Sequence, residues 1–166
     1  MFELTDKVAL VTGARRGMGR AHALALAQQG ARVAVTDIDA GECEAVAGEI
    51  RQGGGEALGL KLDVSSKAEV DAVMGEAVAK FGRLDILVNN AGIFSVKPAL
   101  ELSEEEWDRT LAVNLKGEFL CAQRSAAEMA KHEWGRIINI ASIASGQLGV
   151  GYAGAVHYTA SKGGLL

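Results

Sequence analysis

Proline occurs once in the 166 residues, cysteine twice, and aromatic residues make up 5%. Cys43 and Cys121 are far apart, with no CxxC pair or histidine cluster beside them. That excludes a disulfide framework and a zinc site and leaves both as small buried apolar residues. No stretch approaches the ~20 apolar residues of a membrane span, and the opening MFELTDKVALVTG lacks a basic region followed by a long apolar run. A cytoplasmic protein with no membrane partner is expected. With 17 basic against 21 acidic residues and a net charge of −4, the chain lacks the positive field that phosphate backbones attract. Nucleic acid is not an expected partner.

Glycine, by contrast, is plentiful at 21 residues, and its placement needs local reasons. Short β-branched runs at 7–13, 31–37, 84–92 and 135–142, with a weaker one at 56–64, alternate with stretches of helical character. The strands are too uniformly apolar for a one-sided sheet, so helices should cover both faces. The prediction is an α/β fold: a Rossmann-like doubly wound parallel sheet of five strands, with residues 1–166 as a single domain. The first helix should run from Gly17 to Gln29 and stop at Gly30. Ser66 to Glu69 and Ser103 to Glu106 have the form of capping boxes and should start helices.

The stretch TGARRGMG (12–19) falls between the first strand and the first helix. Backbone N–H groups and the positive helix end there can hold a pyrophosphate if no side chain blocks it. Gly13, Gly17 and Gly19 meet that need, with Arg15, Arg16 and Met18 between them. Their spacing is not the GxGxxG of the familiar fingerprint. Asp37, ending the second strand, adds an acceptor for both hydroxyls of an adenosine ribose. Together these favour dinucleotide binding, with Ile38 beside the acid.

TGARRGMG, Asp63-Val64, NNAG (89–92), Asn114, a serine after IINIA, and Tyr158-x-x-x-Lys162 in YTASK, taken in this order, resemble the short-chain dehydrogenase/reductase family across nearly the whole chain. The resemblance implies oxidation of an alcohol or reduction of a ketone with NAD or NADP. It also implies that Lys162 contacts the nicotinamide ribose, that Asn114 holds a water of a proton relay, and that Asn90, Ala91 and Gly92 stabilise the central strand's end beside the cofactor. Asp63 and Val64 would flank the adenine, and a homodimer or homotetramer would be the assembly.

Tyr158 and Lys162 stand one helical turn apart, which sets an ammonium beside a phenol and makes its proton easier to remove. Tyr152 lacks such a partner. Asn114 interrupts an otherwise apolar helical segment, so a local distortion is expected there. Ser142, directly after the fifth strand, is favoured over Ser145 to orient the substrate carbonyl, although Ser145 has the commoner spacing, thirteen residues before Tyr158. Arg16 is placed to reach a 2′-phosphate, and Arg15 is expected to be solvated or loosely near the pyrophosphate. A carboxylate ~4 Å from that phosphate is repelled by about 4 kcal/mol at an effective dielectric of 20, against ~1 recovered by an exposed arginine. Asp37 therefore favours NAD(H) over NADP(H).

Family members continue well beyond Leu166, so a fragment is expected: the sheet truncated after its fifth strand and the start of the next helix, with apolar surface left uncovered. The alternative function is a cofactor-binding module without turnover.

Overall fold

The computed structural model describes residues 3–145 and 153–166. Five strands, β1 (Val8–Thr12), β2 (Arg32–Asp37), β3 (Ala57–Lys61), β4 (Ile86–Asn89) and β5 (Arg136–Asn139), form one parallel sheet in the order β3-β2-β1-β4-β5. The order reverses beside β1, and the crevice at the carboxyl ends of β1 and β4 is where such sheets bind ligands. β1, β3, β4 and β5 end before their apolar runs do, because the last residues of each run leave the ladder for the loops at the sheet's carboxyl end.

Successive residues of β1 face opposite ways, as the two-residue repeat of a strand requires. Val8 and Leu10 pack with Val70, Met74, Ala77, Leu120 and Cys121, from α3 (Lys67–Phe81) and α5 (Gly117–Met129). Ala9 and Val11 pack with Ala23, Cys43, Ala47 and Ile50, from α1 (Gly17–Gln28) and α2 (Ala40–Gln52). The fold is thus wound on both faces of the sheet. Both cysteines are buried thiols, and among the described residues no group of side chains could hold a metal ion.

β5 departs from the expected two-sided burial. All four of its residues are exposed, Ile138 by 46%, since β4 covers one edge and no described element covers the other. That exposed apolar surface is the one anticipated from the sequence.

α4 (Glu104–Leu111) starts with the full reciprocal box of Ser103 and Glu106. Ser66 caps α3 through Glu69 N, but the Glu69 carboxylate turns away and accepts from Asp63 N at 2.9 Å. The second box is therefore half formed, its acid spent on the loop that carries Asp63. α1 stops where expected, with Gly30 at φ +93°. No helix among the described residues is long and apolar enough to cross a membrane.

Candidate active site

The three loop glycines have different tasks. Gly17, at φ +56°, has nothing within 4 Å of an added Cβ and opens the helix end to a ligand. Gly13 (φ +63°) would bring a Cβ within 2.7 Å of Ala91 Cα, and Gly19 within 2.2 Å of Gly13 O. Those two are required by protein packing on the loop, not by the approach of a ligand.

Asp37 is held from several directions. Its Oδ1 accepts from Ile38 N at 2.7 Å, its Oδ2 accepts from Arg15 N at 3.3 Å, and Arg15 Nε lies 3.4 Å from Oδ1. Arg15 also donates to Glu42 Oε2 at 2.7 Å, and that carboxylate holds the guanidinium more firmly protonated. Arg15, expected to be solvated or loosely near the pyrophosphate, pairs with two carboxylates, one from β2 and one from α2, and keeps part of its side chain in solvent. Arg16 is exposed at the N-terminus of α1.

Asn90 ties the central strands together, its Nδ2 donating to Thr12 O at 3.0 Å and Gly13 O at 2.9 Å. Thr12 Oγ1 accepts from the backbone N–H of Asn90 and of Ala91. A cavity of about 460 Å³ opens over these strand ends. Its wall takes in Gly13, Arg15, Arg16, Asp37, Ile38, Asp63, Val64, Asn90, Ala91 and Gly92. Gly17, Met18 and Gly19 of the predicted set fall outside that wall, as do Asn114, Ser142, Tyr158 and Lys162.

A polar bridge leads from the cavity to the second group. Between α4 and α5 the helix widens into a π turn at Ala112–Lys116, the distortion expected around Asn114. Asn114 is fully buried there. Its Oδ1 accepts from Ile93 N at 2.8 Å, and its Nδ2 donates to Ile93 O at 2.9 Å and to Ser161 Oγ at 3.1 Å. Ile93 and Val113 line the cavity, whereas Ser161 belongs to α6 (Val156–Gly163), which carries Tyr158 and Lys162.

Tyr158 is half-buried, edge-on to Phe94 with ring centroids 4.9 Å apart. The hydrogen bonds of the Lys162 ammonium go elsewhere: Nζ donates to Glu118 Oε1 at 2.9 Å and to Ile140 O at 2.6 Å, in a buried pair. Burial pushes the Glu118 carboxyl up from its ordinary range, and Lys162 opposes that rise. Beneath it the Cys121 thiol is pushed up to about 12, by burial first and by Glu118 second.

Ser142 lies just past β5 with its Oγ accepting from Ala144 N at 3.2 Å, and Ser145 donates its hydroxyl to Ser142 O. Ser145 thus serves as a turn residue bonded to nearby backbone. Gly146–Tyr152 lie outside the described residues. The sequence reading missed Glu118, Arg109 of the cavity wall, and His157, which is fully buried one residue before Tyr158 with Nε2 2.9 Å from Ser95 Oγ. Glu118 alone carried a signal, an acid within an apolar helical segment.

Residues 7–166 match the family model of the short chain dehydrogenases. The chain belongs to that family. It is 44% identical over 99% of its length to D-threitol dehydrogenase of Mycolicibacterium smegmatis, and 42% identical to a 3-oxoacyl-(acyl-carrier-protein) reductase of Synechocystis. It spans 62% and 66% of those two proteins. A crystal structure from Sinorhizobium meliloti, bearing the name of a short-chain alcohol dehydrogenase, superposes with a TM-score of 0.93 at 42% identity. That match covers 98% of this chain and 64% of the other. The family is one of oxidoreductases that bind nicotinamide cofactors.

Proposed function

We propose that the chain encodes hydride transfer between NAD(H) and an alcohol or ketone, with NADP(H) the poorer cofactor. The observation that carries this reading is the Asn114 clamp, which joins the wall of the Asp37 cavity to the helix bearing Tyr158 and Lys162. A dinucleotide laid along that line has its adenosine ribose at Asp37 and its nicotinamide end at α6. The residues fit such a group: Gly17 leaves open space at the helix N-terminus, Asn90 is anchored on Thr12 and Gly13, and Asp37 lines the cavity beside Arg15, with which it pairs.

Bound there, the nicotinamide would supply or accept the hydride. The chain's own residues move the proton and hold the geometry. Tyr158 gives its phenolic proton to the substrate oxygen in reduction and takes it in oxidation. Lys162 binds the nicotinamide ribose. Ser142 orients the carbonyl. Asn114 fixes α6, and its two N–H donors are spent on Ile93 and Ser161, leaving the second lone pair of Oδ1 for a relay water. A homodimer or homotetramer and a cytoplasmic location complete the reading.

Calorimetry with NAD and NADP, followed by NADH absorbance over a panel of secondary alcohols and ketones in the natural full-length protein, tests it. NAD is expected to bind more tightly, and Tyr158→Phe to cut turnover at least ~10²-fold with NAD affinity unchanged, because only the transferable proton is deleted. Equal or tighter NADP binding refutes the preference. Binding without turnover on any substrate supports the cofactor-binding module instead.

A further inference from the structure

Glu118 has no task in that reaction, yet its place is tightly made. It stands in the first turn of α5, 4% exposed. Its Oε1 accepts from Lys162, and its Oε2 is buried without a hydrogen-bond partner. Its carbonyl accepts from Asn89 Nδ2 at 3.3 Å, and the same nitrogen donates to Asn139 Oδ1 at 3.0 Å. The helix turn that carries the acid is thereby tied to the ends of β4 and β5.

An ammonium has three donors. Glu118 and Ile140 O take two from Lys162, which fixes the nitrogen and leaves one donor for a ligand. The carboxylate also cancels the ammonium's charge. The other titratable group that Glu118 reaches is Cys121, whose thiol stays neutral.

We propose that Glu118 is a positioning residue for Lys162 that keeps this end of the cleft electrically neutral, so that the oxidised nicotinamide ring, a cation, is accepted beside the ammonium. The proposal rests on Lys162 as the contact of the nicotinamide ribose. With the carboxylate gone, the cationic ring meets an uncompensated ammonium, whereas the neutral reduced ring does not. At an effective dielectric near 20, repulsion between two such charges within one cleft is worth on the order of tenfold in affinity.

The test is calorimetric titration of the 166-residue chain with NAD+ and with NADH at about pH 8, above the range where carboxylates titrate. In Glu118→Gln, whose amide oxygen still accepts from Nζ, NAD+ affinity should fall about tenfold further than NADH affinity. Equal weakening of both forms is the result of a merely structural role and overturns the proposal, as does no change in either. If the Gln variant fails to fold, Glu118→Asp decides. Its shorter side chain withdraws the charge from Nζ, so NAD+ should again lose more than NADH, at smaller amplitude, and an equal loss overturns. A wild-type chain that binds neither form overturns the cofactor reading itself.

Discussion

Arg15 at the loop end of the cleft and Lys162 at the α6 end each neutralise carboxylates, but in opposite surroundings. Arg15, Asp37 and Glu42 meet with side chains 23%, 12% and 52% exposed, whereas Lys162 and Glu118 meet at 5% and 4%. In the first cluster water remains an alternative partner, so a nucleotide can displace one contact at little cost. In the second neither charge has that alternative, and each depends on the other. Under the proposed function, the end that would admit and release the nucleotide uses exchangeable pairs, while the end that would hold the reacting group uses a fixed one.

Breaking the fixed pair should have the largest effect. Lys162→Met strands a buried carboxylate and should cost about 3–5 kcal/mol of stability near neutral pH, read from urea unfolding. The double variant Lys162→Met, Glu118→Leu should recover most of that loss, since no charge is left orphaned. A double variant as unstable as the single one would show that packing of the lysine stem, and not its charge, holds α6 in place.

The pH dependence of stability sharpens the same contrast. Burial raises Glu118's titration despite Lys162. The stability of its neutral form is therefore fully present below the ordinary value of 4.5 and is lost as pH rises through the raised one. Half-exposed Glu106 is lowered chiefly by Lys97 and by its cap on Ser103. Its stabilisation is present above the ordinary value and lost as pH falls through the lowered one. Urea midpoints should show wild type losing ground to Glu118→Gln as pH rises from about 4 to about 7, and losing its advantage over Glu106→Gln on acidification. Parallel curves for both variants would refute the difference.

How much of this could be read from the chain follows the same division. TGARRGMG and Asp37 act through local geometry, a loop and a strand end, so their placement was legible. The π turn was legible because Asn114 is polar in an apolar helical run and must find buried partners. Glu118 carried the same signal, an acid in that apolar run, but its partner Lys162 lies far along the chain, so the pair it makes was not legible. Arg15 misled for the same reason: Glu42 approaches only once α2 packs against β2. β5 has the composition of a buried strand, and its exposure follows from what surrounds it, which no strand encodes in its own residues.

Arg15→Ala should have the smallest effect on the fold and a selective one on recognition. Both pairs that it makes reach solvent, so their loss should change stability by no more than about 1 kcal/mol, and Asp37 keeps its bond from Ile38 N. The change falls instead on the charge that a ligand meets. In wild type the guanidinium lies 3.4 Å from Asp37 Oδ1 and offsets part of the repulsion between that carboxylate and a ribose 2′-phosphate. Removing it leaves Asp37 unshielded, so NADP should weaken about threefold to fivefold relative to NAD, an effect that shrinks as added salt screens it. Asp37→Ala should act oppositely, removing the repulsion along with the ribose contact and narrowing the preference. If Arg15→Ala also narrows it, the guanidinium serves the ribose hydroxyls directly, and the loop end holds its ligand through the arginine and not through the acid.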